Sequence, residues 1–155
     1  MRLHVPLPLR WSDVDAYQHV NNAEVFRLLE EARIHAFWPA AGGDAPLTAV
    51  LDGRPGGATM TLIARQEIEY LLPIPYLREP IDIEMWIGRV GGASLEVCYE
   101  IYTPVNVSPR ELYVRASTTL VLVDSATSRP QRISDEQREV FGRYVEQPLE
   151  FAKRR

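Results

Sequence analysis

Hydrophobic and polar residues alternate most regularly in the second half of the chain. Ile81, Ile83, Met85 and Ile87 share one parity while Asp82, Glu84 and Trp86 take the other, and Leu95, Val97, Tyr99 and Ile101 repeat the pattern. A period of two is that of a strand with one face buried. Four β-compatible runs follow from this reading: Thr59 to Leu72, Ile81 to Val90, Ser94 to Thr103 and Leu112 to Asp124. Gly91-Gly92 predicts a hairpin turn, and the segment from Val105 to Glu111, with Asn106 and Pro109, predicts another. Leu3 to Trp11 reads as a first strand, irregular or at an edge because Pro6 and Pro8 remove ladder donors.

Between the first strand and the rest the pattern changes. Ser12 to Asn21 is polar, Asn21 or Asn22 is placed to cap a helix, and Glu24 stands where a capping box would put it. Good helix formers then run to Trp38, and Pro39 stops them. Projected at 3.6 residues per turn, Glu24, Glu31 and His35 fall on one face, with Asn22, Phe26, Leu29, Arg33, Ala36 and Phe37 opposite. Arg33 is the cation among those apolar neighbours, and Glu30, three residues earlier, is its nearest candidate partner. Pro39 to Ala58 is a connector with one turn expected around Leu47 to Leu51, and Ser134 to Val145 reads as a short helix capped by Ser134 or Asp135. The order predicts an α+β fold in one domain spanning 1–155: a mostly antiparallel five-stranded sheet around one long helix.

Composition narrows the function classes. A formal net charge of −4 gives no general attraction to nucleic acid or anionic lipid, and Lys153-Arg154-Arg155 reads as a solvated basic end. No stretch approaches the length of a membrane span and the start lacks a signal-peptide pattern, so a cytoplasmic protein is expected. The lone Cys98 lies in an alternating strand, which predicts a buried thiol.

Chemistry concentrates in Arg10-Trp11-Ser12-Asp13-Val14-Asp15-Ala16-Tyr17-Gln18-His19-Val20-Asn21-Asn22, a loop with two carboxylates, an imidazole and two carboxamides just before a helix. By itself an Asp in such a loop is a cap. Asp13 is expected to tie the loop through backbone N–H groups, Asn21 to cap the helix, and His19 either to satisfy the loop or to assist chemistry. The trio Asp13, Asp15 and His19 lacks the two-His or Cys-rich pattern of a metal site, so no metal and no cofactor is expected.

The D-x-D-x-x-x-H-V-N-N stretch from Asp13 to Asn22, with Glu30-Glu31-Ala32-Arg33, resembles the 4-hydroxybenzoyl-CoA thioesterase family of hot-dog proteins, including its bacterial acyl-CoA thioesterase branch. Ile68-x-Tyr70-x-x-Pro73 is similar to that family's second strand, and Asp124 with Arg129-Pro130 and Ile133 to its final strand and tail. The resemblance implies a hot-dog fold and hydrolysis of an acyl-CoA. It makes Asp15 the catalytic base or nucleophile, the amide of Asn22 an oxyanion donor and His19 an orienting group, with Tyr17 walling the acyl pocket and Asn21 beside it. It also implies a homodimer or a dimer of dimers with the site at the subunit junction. Family members carry paired arginines in the turn where this chain has Gly91-Gly92, leaving Arg89 as the nearest cation for coenzyme A phosphates. The loop also resembles plant acyl-ACP thioesterases, which have Asn at the position of Tyr17. A non-catalytic acyl-binding or assembly protein and an acyl-ACP thioesterase are the alternatives, and a thioester assay separates binding from hydrolysis.

Overall fold

The computed structural model describes residues 1–40, 46–52 and 55–153. Parts of the Gly-rich connector, 41–45 and 53–54, and the last two arginines of the basic end lie outside the described residues. Among the described residues there are five strands and two α-helices: β1 (Leu3–Leu7), α1 (Asn22–Phe37), β2 (Thr59–Tyr70), β3 (Ile81–Val90), β4 (Ser94–Tyr102), β5 (Leu112–Asp124) and α2 (Asp135–Gly142). The strands form one antiparallel sheet in the order β1-β3-β4-β5-β2. β3, β4 and β5 are a meander, and the earlier strands β1 and β2 add to its two sides, so both edges come from the first half of the chain.

The alternation in β3 and β4 has the expected result. Ile81, Ile83, Met85, Ile87, Leu95, Val97, Tyr99 and Ile101 are all 1% exposed or less and join Val25, Leu28, Leu29, Ala32, Ala36 and Phe37 of α1 in one core. Fully burying an aliphatic or aromatic side chain of this size contributes about 1.5–3 kcal/mol, so this layer holds helix and sheet together. The opposite sheet face is charged. Arg2 reaches Glu84 at 2.9 Å and Glu100 at 2.7 Å, Arg110 reaches Asp82 at 2.8 Å and Glu84 at 2.7 Å, and Arg115 reaches Glu100 at 3.2 Å. His4, Asp82 and Glu84 there are spaced like metal ligands, but these arginines already hold both carboxylates.

After α2, whose N-terminus is capped by Ser134 with Gln137 in a capping box, the chain passes over this outer face. Glu146 donates its backbone N–H to Ile87 and Trp86 donates its indole N–H to Gln147. A Cβ at Gly88 would stand 2.9 Å from the Cys98 sulfur and 3.3 Å from Pro148, so the crossing requires glycine there. Cys98 is fully buried, as expected, and burial pushes its thiol up to about 11.

Four local expectations are corrected. The first strand ends at Leu7, where β3 also begins at its partner Ile81, and Trp11–Asp13 form a 3-10 turn instead. Asn21 does cap α1, accepting from Ala23, but Glu24 makes no capping box. Asp13 supplies the acceptor for the Asn21 N–H, and the Glu24 carboxylate pairs with Arg27 at 2.9 Å. The buried stripe of α1 is centred on Val25, Leu29 and Ala32, leaving Phe26 37% exposed. Arg33 is buried but does not pair with Glu30: its guanidinium donates to the Tyr99 hydroxyl at 3.1 Å and the Thr118 hydroxyl at 3.5 Å. Among the described residues, no helix is long and apolar enough to cross a membrane.

Candidate active site

The loop between β1 and α1 is built on Asp13. This carboxylate is fully buried and accepts from the Arg10 backbone at 2.7 Å, the Arg10 guanidinium at 3.0 and 3.2 Å, and Arg27 at 2.8 Å. Burial alone would raise its pKa. The hydrogen bonds from Arg10 and the charge of Arg27 outweigh that and hold it below the ordinary carboxylate range. Its backbone carbonyl takes the Asn21 N–H, so Asp13 fixes both ends of the loop.

Asp15 sits at the turn of a small inner hairpin. Its N–H donates to the His19 carbonyl at 3.0 Å, its carbonyl accepts from Gln18 at 3.0 Å, and Gln18 takes a positive φ of 64° to close the turn. One carboxylate oxygen accepts from the Tyr17 N–H at 2.9 Å. Among the described residues the other oxygen has no partner, and the side chain is half-buried. Tyr17 and His19 stand exposed beside it. The far wall is the stretch after β2, tied to the loop by the Val20 N–H donating to Ile74 at 2.9 Å.

At the start of α1 the donors are unequally used. Ala23 donates to the side chains of Asn21 and Asn22, and Glu24 donates to the Asn21 carbonyl. The Asn22 N–H has no acceptor among the described residues. Its carbonyl is held instead, accepting from the Tyr70 hydroxyl at 2.8 Å. The first helical turn thus presents one open donor, with the partial positive charge of the helix end behind it.

These groups line one cavity of about 460 Å³, with Asp15, Tyr17, His19 and Asn22 on one side and Tyr70 through Ile74 on the other. The structure therefore gathers four of the residues singled out in the sequence. Asn21 serves as the helix cap and does not line the cavity. Arg89 is elsewhere: it lines a second groove of about 460 Å³ on the outer sheet face, with Arg65, Glu96, Thr119 and Phe151. Sequence reasoning had not given a site role to Val25, Tyr70, Leu71 or Leu72. The available signal was Tyr70 at a strand end followed by an apolar run through Ile74.

The model of the thioesterase-like superfamily matches residues 9–141, from the loop through α2. The chain belongs to that superfamily. A candidate thioesterase from Pseudomonas aeruginosa shares 29% identity over 89% of this chain and 95% of that one, with a TM-score of 0.72. A candidate thioesterase from Bacillus stearothermophilus is 22% identical over 96% and 100% of the two chains, with a TM-score of 0.72. A candidate acyl-CoA thioesterase from Xanthomonas campestris is 23% identical over 84% and 98%, with a TM-score of 0.62. No curated protein is similar enough to count as a match. The hot-dog fold expected from the sequence is the fold observed.

Thioester hydrolysis is the activity this thioesterase-like superfamily supports, and the cavity's chemistry is compatible with it. A thiol leaving group has a pKa near about 8.5 and departs as thiolate without the acid that an amine requires. One carboxylate and one oxyanion donor then suffice, because the carboxylate can activate water or attack the carbonyl while the donor stabilises the developing charge.

Proposed function

We propose that this protein hydrolyses an acyl-CoA to the free acid and coenzyme A, as a member of the 4-hydroxybenzoyl-CoA thioesterase branch, with the chain from 1 to 155 acting as one domain. Asp15 serves as general base or nucleophile, the Asn22 amide receives the thioester oxygen, His19 orients the attacking water or Asp15, and Tyr17 walls the acyl pocket. Asn21 contributes through the helix start it caps. The observation that carries this reading is the pairing, in one cavity, of an Asp15 oxygen and an Asn22 N–H that both lack a protein partner among the described residues. Elsewhere in the loop the carboxylate of Asp13 and the amides of Ala23 and Glu24 are satisfied.

Arg89 is the cation proposed for a coenzyme A phosphate. On this reading the nucleotide end lies on the outer sheet face, away from the Asp15 cavity. The working unit is a homodimer or dimer of dimers joined along β2. That edge strand exposes Met60, Leu62 and Ile63 by 41%, 51% and 46%, and an unpaired edge strand of twelve residues with apolar side chains exposed in its first half is otherwise a hazard to a soluble protein.

The test is a released-thiol assay on purified protein against straight-chain and aromatic acyl-CoA esters, with sedimentation at the assay concentration. We expect turnover of at least one ester by a dimer or larger species. Absence of thiol release from every ester would remove the hydrolase reading, and an active monomer would remove the edge-paired one.

A further inference from the structure

Arg33 sits in an unusual electrostatic position for a residue outside the Asp15 cavity. The residue is 7% exposed, and its two hydrogen-bond partners among the described residues, Tyr99 and Thr118, are neutral hydroxyls. Thr118 is held in turn by Gln66 of β2 at 3.3 Å, also neutral. Glu30 borders the same space, but the hydrogen bonds of the Arg33 guanidinium go to the two hydroxyls. A buried cation without a counter-charge costs several kcal/mol, so a structural arginine at this depth ordinarily has a carboxylate beside it.

The guanidinium is also only half used. Both hydrogen bonds leave from Nη1. Among the described residues, the sole fully buried side-chain polar atom without a partner is the Ser125 hydroxyl. The remaining Arg33 donors are therefore not sealed from solvent, and Arg33 lines a cavity of about 110 Å³ together with Glu30, Phe37, Thr61, Ile63 and Leu120. An Nε and Nη2 edge is the fork that receives a carboxylate in two parallel hydrogen bonds.

The cavity lies along the same two elements as the Asp15 site. α1 carries Asn22 at its start and Arg33 eleven residues on, about 16 Å along the axis. β2 accompanies it in the opposite sense: Tyr70 bonds to Asn22, Gln66 to Thr118, and Ile63 and Thr61 border the Arg33 cavity. The two cavities share no lining residue, so an acyl group whose thioester meets Asn22 and Asp15 would reach Arg33 only by following the α1–β2 flank between them.

We propose that Arg33 is the receptor for a carboxylate at the far end of the acyl group, so that the substrates are ω-carboxyacyl thioesters, the half-thioesters of dicarboxylic acids. This rests on the acyl-thioester reading of the Asp15 cavity, and the substrate supplies the hydrogen-bonded carboxylate that Glu30 does not. The reactions that feed such a site are those that oxidise the free end of a fatty acyl chain or open a ring to a diacid.

Two measurements on the wild-type protein test it without any variant. Suberate, a dicarboxylate, and octanoate, its monocarboxylate of equal carbon number, are compared as ligands by thermal shift. The matching ω-carboxyacyl-CoA and acyl-CoA are compared as substrates, over a series of chain lengths. We expect suberate alone to raise the melting temperature and the ω-carboxyl ester to be preferred by about tenfold or more in kcat/KM, the worth of a hydrogen-bonded charge. Arg33→Gln should abolish that preference while retaining turnover of the plain ester, and Arg33→Lys should restore part of it. Hydrolysis of both esters without preference, together with no suberate-specific shift, would overturn the proposal and leave the hydrolase reading standing. A suberate-specific shift lost in Arg33→Gln, with no hydrolysis of any ester, would keep the anion site and remove the hydrolase.

Discussion

Two regions of this molecule are rich in carboxylates, and they use them differently. On the outer sheet face Asp82, Glu84 and Glu100 are each within hydrogen-bond distance of one or more of Arg2, Arg110 and Arg115. In the loop before α1, Asp13 is clamped by Arg10 and Arg27, while Asp15, two residues later, accepts one backbone N–H, has no other side-chain partner among the described residues, and lines a cavity. A carboxylate with every lone pair engaged is held in one geometry and is poor at accepting another proton or attacking a carbon. One with an open lone pair, beside an open amide, is poised for either. Satisfaction of hydrogen-bond capacity, more than the number of charges, separates architecture from chemistry here.

The comparison breaks most sharply at Asp15. We expect Asp15→Asn to lower kcat by about a thousandfold, within the usual range for loss of a general base, with an unchanged urea midpoint. Wild-type turnover in that variant would reduce Asp15 to a turn residue. The next largest effect is expected at the helix start, where Asn22→Pro removes the open N–H and nothing else from the backbone pattern. The preceding Asn21 has ψ 135°, the extended value that a following proline requires, so the helix should survive as seen by circular dichroism. A fall in kcat of about a hundredfold is expected, the scale of one oxyanion donor. An intact kcat in a folded variant would move the oxyanion site to another group.

The outer face should respond the other way. Glu100→Gln leaves Arg2 and Arg115 without their shared carboxylate, and we expect a loss of about 2 kcal/mol in chemical denaturation with kcat unchanged. The figure is kept low because both guanidinium groups retain contact with water. A kcat effect larger than the stability effect would show that the two regions are coupled.

Asp13 gives the smallest and most specific signal. Its folded pKa lies below its unfolded value, so it contributes stability in full above the ordinary aspartate range near about 3.9 and loses it as pH falls through the depressed folded value. The stability gap between wild type and Asp13→Asn should therefore narrow as pH is lowered past that range. A gap that stays constant with pH would mean that Asp13 acts through shape alone.

Much of this was legible in the chain itself. The alternation of β3 and β4, the Gly91-Gly92 turn, the Asn21 cap and the crowded loop from Asp13 to Asn22 are local patterns, and local patterns read directly. What escaped depends on which strands become neighbours. Tyr70 reaches the Asn22 carbonyl only because β2 lies along α1, and Arg33 finds Tyr99 and Thr118 only because β4 and β5 pass beneath it. Glu30 and Glu24 were reasonable nearby partners by spacing, but Glu30 stayed unpaired with Arg33 and Arg27 took Glu24. Arg89 was tied to the site by sequence proximity to a family turn, whereas its strand carries it to the other face of the sheet.

The sheet order has a consequence for how the molecule assembles. β3, β4 and β5 meet their neighbours through short turns, whereas Leu3 must find Met85 and Thr59 must find Asp124 across long stretches of chain. Loop-closure entropy places such pairings late, so the meander is the natural nucleus and the two outer strands dock onto it afterwards. The wall that β2 and the residues after it supply to the cavity would then be completed last and opened first. Backbone amides there should exchange with deuterium sooner than those of β4, and the hydrophobic edge that β2 offers stays unformed until little of the chain remains to be ordered.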